Sequence, residues 1–396
     1  MAKRILRVNS KVFNIEVFYD LMFSYLISRI CNVIDVPGKE IFGLQHYATY
    51  AVVLLSVLKV WFDTTLLLNR YGNNSGADNV CMFTNMFFLY LMAEGFDGDS
   101  ITNFKIFTLS LFLITANLIV HWRSKLHLYA NMDEEDHSFI NHTVKILTVQ
   151  LVLMAISYIL PIQYGRWGIL LALPIGITSW LFHDSYKVRT TNFEHLTERC
   201  WLLVIVVFGS SVQDVALFMD SSTHQGLLAS LSVFLLIIGL FLVYGYQYEY
   251  LLDRQRDVEN GTRYLVLNAA IVFILSNLTV AIDYLSRPEI HLVQKTTFFT
   301  LMLVAYLFVT YLFNDFFKSG FETKRRNAVF RLVACLSILA FSLTAAIDTR
   351  ITISLDTVVV YLVALHEMHF RWNNTTEEEL PPLVSFFITG GDSEDD

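Results

Sequence analysis

Long apolar stretches separated by short polar turns run through almost the whole chain. A helix needs about 20 mostly apolar residues to cross the hydrocarbon layer of a membrane, and twelve stretches come close to that length. They fall at residues 12–34, 44–68, 79–94, 101–121, 138–160, 165–183, 196–219, 226–250, 262–284, 294–317, 328–346 and 351–370. The continuous apolar run at 231–244 lacks the period of two that marks membrane-spanning β-strands. The pattern therefore predicts an all-α, polytopic membrane helix bundle with about twelve transmembrane helices.

The composition favours a protein embedded in a lipid bilayer and excludes several other classes. Of the 396 residues, 55% are hydrophobic and only 16% are charged, whereas soluble domains carry about 25% charged residues. None of the four cysteines belongs to a C-x-x-C pair, and nothing suggests a disulfide scaffold. Several acids behind the net charge of −8 lie at 391–396, so this charge gives no reason to expect a nucleic-acid partner.

Lysine and arginine set the expected orientation, because cytoplasmic loops are enriched in them. With the N-terminus inside, 18 of the 28 basic residues fall on the cytoplasmic side and 6 on the opposite side. We therefore expect a plasma-membrane protein with both termini in the cytoplasm. No cleavable signal peptide is expected, because the first apolar stretch is too long and already carries two acids.

Short linkers indicate one integral membrane domain over residues 1–372. The twelve stretches divide into possible six-helix halves, 1–190 and 191–372, in the arrangement of parallel repeats. The acidic tail at 373–396 is expected to be partly disordered.

Ionisable side chains inside apolar stretches are the most informative residues, because each is costly in hydrocarbon unless it faces the bundle interior. Glu16 and Asp20 are four residues apart and share one face of the first helix. Two carboxylates in a dry site do not both stay charged without a compensating cation. They mark either a functional path or, for Glu16, a solvated position at the headgroups.

The seventh stretch begins with a second ionisable group. His195, Glu198 and Arg199 lie on one helix face. They form either a self-compensating cluster or a partnership across helices, in which Arg199 pairs with Asp20 or Glu16. Alternatively, these residues only fix the packing of neighbouring helices and take no part in transport or catalysis.

Other polar motifs give weaker signals. Lys59 and Asp63 are expected to neutralise each other near the cytoplasmic surface. The spacing of His366-Glu367-Met368-His369 differs from the zincin pattern, so no metal site is predicted. Nucleotide-binding glycine motifs do not occur in the sequence, and no cofactor is expected.

The first and seventh stretches together resemble one known family. Residues 16–23, Glu-Val-Phe-Tyr-Asp-Leu-Met-Phe, are similar to the Glu-Leu-Phe-Phe-Asp-Leu-Val-Phe opening of the bacterial low temperature requirement A family. Residues 195–199 are similar to its His-x-x-Glu-Arg segment, and Trp61 and the Asn-Arg-Tyr at 69–71 sit where that family places similar residues. The resemblance spans roughly 12–372 and implies a multi-pass membrane protein associated with cold or stress growth.

The chain departs from the family pattern after Arg199. It has Cys200-Trp201 in place of Phe-Gly, and Gly209-Ser210 in place of Gly-Glu. If the missing carboxylate belongs to a proton or cation path, that step is altered here.

These residues support one leading interpretation and two alternatives. The first is a secondary transporter or permease for an unidentified small molecule or ion, with Glu16, Asp20, His195, Glu198 and Arg199 lining a cytoplasm-facing polar cavity. The second is an intramembrane enzyme acting on lipid or polyprenyl substrates, although no D-D-x-x-D motif is present. The third is a non-catalytic membrane scaffold.

Overall fold

A computed structural model shows a bundle of twelve α-helices in the part of the chain that it describes, residues 11–34, 44–95, 100–128, 132–182, 191–215, 224–256, 261–318 and 324–372. The acidic tail at 373–396 lies outside the described residues. The helices are α1 Asn14–Ile34, α2 Leu44–Tyr71, α3 Gly76–Glu94, α4 Ser100–Leu128, α5 Glu134–Ile159, α6 Ile162–Phe182, α7 Phe193–Val215, α8 His224–Tyr246, α9 Thr262–Ser286, α10 Leu292–Leu312, α11 Lys324–Phe341 and α12 Thr349–Trp372. The all-α prediction is confirmed, and each helix overlaps one predicted stretch.

Nine of these helices are long and apolar enough to cross a membrane, judged on the described residues. They are α2, α4, α5 and α7 to α12. The helix α1 is outside this set, and it carries Glu16, Asp20 and Arg29 among its 21 residues. Several membrane-capable helices are thus established, whereas twelve crossings remain a prediction.

The helix α2 is the most enclosed of the nine. Within its span Tyr47–Tyr71, 83% of the most apolar window is buried, because α1, α4, α6, α7 and α9 all pack against it. Away from α2, α8 packs closely on α12, and α9 packs on α10. Lys59, Asp63 and Arg70 of α2 are therefore buried against other helices.

The ends of α8 and α10 depart from regular α-helix. A π-helical turn, Gln247–Leu251, follows α8, and a 3-10 turn, Phe313–Phe316, follows α10. The two segments meet in an isolated antiparallel bridge between Leu252 and Phe317. Lys318 N donates to Leu251 O at 2.9 Å. This bridge holds the two helix ends together on one side of the bundle.

Candidate functional site

Asp20 of α1 forms a buried ion pair with Arg199 of α7. Arg199 Nη2 donates to Asp20 Oδ1 at 2.5 Å, and Arg199 Nε donates to Asp20 Oδ2 at 3.3 Å. The guanidinium therefore uses two nitrogens on two carboxylate oxygens, which is its most favourable geometry. Both residues are 0% exposed. The predicted partnership across helices is confirmed for this pair.

Trp61 of α2 adds a third helix to the site. Its indole Nε1 donates to Asp20 Oδ1 at 2.8 Å. The Arg199 guanidinium carbon lies 6.0 Å from the centre of the Trp61 ring, within reach of a cation–π attraction. Asp20 therefore accepts hydrogen bonds from α2 and α7 and holds the three helices together.

Glu16 and His195 form a second pair one helical turn away. His195 Nε2 lies 2.9 Å from Glu16 Oε2. The sequence separation of 179 residues is the same as between Asp20 and Arg199. Because each helix spaces its two residues by four, the two pairs form successive rungs between α1 and α7. Such matched spacing requires α1 and α7 to run in the same direction.

Asn69 of α2 determines which histidine nitrogen carries the proton. Asn69 Nδ2 donates to Asn192 O at 2.8 Å and lies 3.0 Å from His195 Nδ1. The reversed amide would set its oxygen against the Asn192 carbonyl oxygen, so Nδ2 is the atom that faces His195. His195 Nδ1 then accepts, and Nε2 carries a hydrogen that it donates to Glu16.

Glu198 occupies a different position from the other four predicted site residues. It is half-buried, and its Oε2 accepts from Val12 N at 3.2 Å. This contact places a carboxylate on a backbone amide that precedes α1, where the positive end of the helix dipole favours negative charge. Glu198 therefore fastens the start of α1 to α7 beside the two rungs.

Further polar side chains extend the site from α2 toward α3 and α4. Tyr19 Oη lies 3.2 Å from Thr64 Oγ1 and accepts from Asn85 Nδ2 at 3.4 Å. Asn117 Nδ2 donates to Asn85 Oδ1 at 2.8 Å. Sequence reasoning missed Tyr19, Thr64, Asn85 and Asn117. The available signal was the presence of side-chain amides within apolar stretches, where a polar group must find a partner.

The site is closed and packed. His195 is 0% exposed and Glu16 is 1% exposed, and Glu16 and Asp20 of α1 meet His195 and Arg199 of α7 by direct contact. A carboxylate next to an imidazole can hold or pass a proton. Two acids, an imidazole and a guanidinium are thus placed in contact where the surrounding helices exclude water.

The His366-Glu367-Met368-His369 segment serves another role. Glu367 forms a buried ion pair with Arg331 of α11 and accepts from Gln247 Nε2 at 2.7 Å. His366 stacks on Phe330 with ring centres 4.0 Å apart. Among the described residues, no group of three or more His, Cys, Asp or Glu side chains is arranged to hold a metal ion.

Comparison with known proteins agrees with this arrangement of motifs. No match is found among curated proteins. The sequence model of one family matches residues 11–365, which include both rungs and the helices α1, α2 and α7 that form the site. The chain therefore belongs to the family described as bacterial low temperature requirement A protein (LtrA).

Proposed function

We propose that this protein is a proton-coupled secondary transporter or permease of the plasma membrane. In this proposal the Glu16–His195 and Asp20–Arg199 rungs and the neighbouring Glu198 form the gate of the path taken by the solute or ion. The description of the family adds the expectation that loss of the protein slows growth at low temperature.

One observation carries this proposal: two acid–base pairs are fully enclosed between α1, α2 and α7. Buried ion pairs contribute little net stability, because desolvation offsets most of their attraction. Ionisable residues inside membrane spans therefore mark ion pathways and proton relays by default. A closed arrangement of direct pairs fits the occluded state of a transporter, in which separating the pairs opens the path.

Contacts between helix ends support twelve crossings with both termini on one side of the membrane, and the excess of lysine and arginine on that side supports the cytoplasm. Asn69, near the end of α2, contacts Asn192, which precedes α7. Lys105, near the start of α4, bonds the backbone oxygens of Tyr158 and Leu160 at the end of α5. Both contacts join ends that lie on the same side if every helix crosses the membrane.

The proposal is tested by proton flux in proteoliposomes that contain the pH-sensitive dye pyranine. Sodium, potassium, a neutral amino acid and a sugar are added outside in turn, with internal pH as the readout. We expect at least one of them to change the internal pH. Asp20→Asn should abolish that response. The asparagine side chain cannot take up and release a proton, which is the step that separates residue 20 from Arg199 in this proposal.

The matched control is Asp315→Asn, which also removes an acid paired with an arginine. Arg263 is exposed and Asp315 is partly exposed, at 57% and 40% of their side-chain surface, so flux should be unchanged. Equal flux from wild type and Asp20→Asn would exclude this path. A wild type that changes internal pH with none of the four solutes would favour the membrane scaffold.

A further inference from the structure

Buried acids of the described helices generally contact a base. Lys59 contacts Asp63 one turn along α2, and both side chains are less than 10% exposed. The predicted pairing is confirmed, but its predicted place near the surface is wrong, because Lys59 is the central residue of the span Tyr47–Tyr71. Asp356 of α12 differs from these paired acids.

Asp356 is a buried carboxyl group inside a helix that is long and apolar enough to cross the membrane. It lies in the span Thr349–His369 and is 0% exposed. Neither Oδ1 nor Oδ2 has a hydrogen-bond partner among the described residues. Burying a polar group without a partner is costly, and burying an unpaired charge is far more costly. The charge state of Asp356 therefore depends on whether a neighbouring element supplies a counter-charge.

The helix α8, which packs closely on α12, supplies none. Ser232 Oγ of α8 lies 3.2 Å from Ser354 Oγ, and Thr357 Oγ1 donates to Ser232 O at 3.4 Å. The part of α12 that carries Asp356 thus contacts α8 around Ser232. No Asp, Glu, Lys or Arg occurs within residues 224–246. The titratable side chains of α8 lie toward its two ends, two turns or more from Ser232: His224, Tyr244 and Tyr246.

The helix α11 and the 3-10 turn Ser342–Ala346 that follows it also pack against α12. The turn has no titratable residue. In α11, three basic residues lie at 324–326, at the end remote from this turn, and Arg331 pairs with Glu367 of α12. Cys335 is the other titratable residue of α11, and a thiol cannot neutralise a carboxylate.

The helix α12 itself offers no counter-charge to Asp356. Its other titratable residues lie more than one turn away along the helix: Arg350, Tyr361, His366, Glu367, His369 and Arg371. Arg350 is exposed near the start of the helix, and Glu367 already has its partner on α11. An ionised Asp356 would therefore be an uncompensated charge in the hydrocarbon layer, at least as far as the described residues are concerned.

A buried acid in this situation keeps its proton, because the neutral form avoids the cost of an unpaired charge. A position that served packing alone would be filled at lower cost by an apolar residue. Ionisable residues inside membrane spans mark functional sites by default. Asp356 is thus a neutral acid held at membrane depth, away from the two rungs.

We propose that Asp356 is a proton-binding site, a neutral carboxyl group that apolar carbodiimides modify. One part of this inference rests on the transport function proposed above, namely that Asp356 carries a coupled proton. A line of hydroxyl groups leads from Asp356 toward the start of α12. Thr352 lies four residues earlier on the same helix face, and its Oγ1 lies 2.9 Å from Thr344 Oγ1 of the 3-10 turn.

Carbodiimides distinguish a neutral carboxyl group from a carboxylate. The carboxyl proton moves to one nitrogen of the reagent, and the carboxyl oxygen bonds to its central carbon as one C=N double bond becomes single. The acyl group then migrates from that oxygen to the second nitrogen, which gives a stable N-acylurea where water is excluded. No atom leaves, so the product carries the whole mass of the reagent.

The reaction is tested on purified full-length protein in detergent with N,N′-dicyclohexylcarbodiimide, and adducts are located by mass spectrometry of peptides. We expect an adduct on Asp356 that is lost as the pH is raised, because the carboxylate does not react. A water-soluble carbodiimide should leave Asp356 unmodified. Asp283 and Asp315 are internal controls, since both are partly exposed and paired with arginine, and the apolar reagent should modify neither.

Three variants connect the adduct to function. Asp356→Asn matches the neutral acid in shape but binds no proton, so it should unfold at nearly the wild-type temperature and lose both the adduct and the proton flux in vesicles. Asp356→Glu keeps a carboxyl group and should still react. The matched control Asp283→Asn removes an acid from another membrane-capable helix, α9, and should keep the adduct on Asp356 and the flux.

Two labelling results overturn the proposal: the absence of an adduct on Asp356, and equal modification of Asp356 by the apolar and the water-soluble reagent. Flux separates the proposal from the transport function. If wild type shows flux and Asp356→Asn retains it, Asp356 carries no coupled proton, and the transport function stands without it. If the adduct forms and wild type shows no flux, the neutral carboxyl site stands and the transport function fails.

Discussion

Asp20 depends on donors from two other helices, and each donor has a distinct effect. Arg199 supplies charge and a planar pair of N–H groups, a geometry that lysine cannot reproduce. Trp61 supplies one neutral N–H at 2.8 Å. Because Asp20 is fully enclosed, loss of either donor leaves an oxygen of a buried carboxylate short of a partner.

The indole hydrogen bond can be removed with little change of shape. Trp61→Phe keeps an aromatic ring against Arg199 but deletes the N–H that Asp20 accepts. We expect the free energy of unfolding to fall by about 1.5–3 kcal/mol, the usual range for a hydrogen bond to a charged group. The measurement is denaturant unfolding in detergent micelles, followed by circular dichroism.

Trp167→Phe is the matched control, because Trp167 is 64% exposed on α6. Its stability should stay within about 0.5 kcal/mol of wild type. Equal losses in the two variants would mean that the Trp61 contribution is ring packing and not the hydrogen bond.

At the residue scale, the sequence predicted the ion pair between α1 and α7 but not the hydrogen bond from α2 that supports it. The spacing of four residues in both α1 and α7 indicated two faces that could match, and Arg199 does pair with Asp20. The contact between Trp61 and Asp20 joins positions 41 residues apart, and no local pattern encodes it. Only packing of α2 against both α1 and α7 brings the indole to the carboxylate.

At the scale of helices, glycine sets how closely α5 and α6 approach. A methyl group on Gly168 would lie 2.0 Å from Ser157 Oγ and 2.8 Å from Leu153 O. A methyl group on Gly165 would lie 2.5 Å from Ser157 O. Small residues let membrane helices approach until their backbones touch. Gly165 and Gly168 allow this close approach between α5 and α6.

Gly168→Ala should therefore separate α5 from α6. The new methyl meets a backbone oxygen that cannot turn away, so we expect a loss of about 1–3 kcal/mol of stability, as for overpacking. Thermal unfolding of the purified protein in detergent measures it.

Gly209→Ala supplies the control, because nothing lies within 4 Å of a methyl group at Gly209 of α7. Replacing glycine by alanine in an open helical position should stabilise by about 0.5–1 kcal/mol. If both variants lost stability equally, helix approach would not explain the Gly168 effect.

The long apolar stretches predicted all twelve helices but not their irregular ends. A π turn at Gln247–Leu251 and a 3-10 turn at Phe313–Phe316 depend on which backbone groups meet across the bundle. The bridge between Leu252 and Phe317 joins the segments that follow α8 and α10. Leu252 and Phe317 are far apart in the sequence, and no short stretch of the chain contains both. These turns are therefore visible only in the folded structure.

At the scale of the whole molecule, two independent observations favour the same topology. The distribution of lysine and arginine predicts cytoplasmic termini, and the matched rungs require α1 and α7 to run in parallel. Parallel α1 and α7 are expected if an even number of crossings separates their starts. The short loop before α3 then lies inside, and the loop between α9 and α10 lies outside.

Cysteine labelling in a variant that lacks Cys31, Cys81, Cys200 and Cys335 tests this topology. Ala77 at the start of α3 and Glu289 between α9 and α10 are both exposed, so a thiol at either position can react. A membrane-impermeant thiol reagent should label Glu289→Cys in intact cells and Ala77→Cys only in inverted vesicles. Labelling of both from the same side would require an odd number of crossings to be lost between α3 and α9.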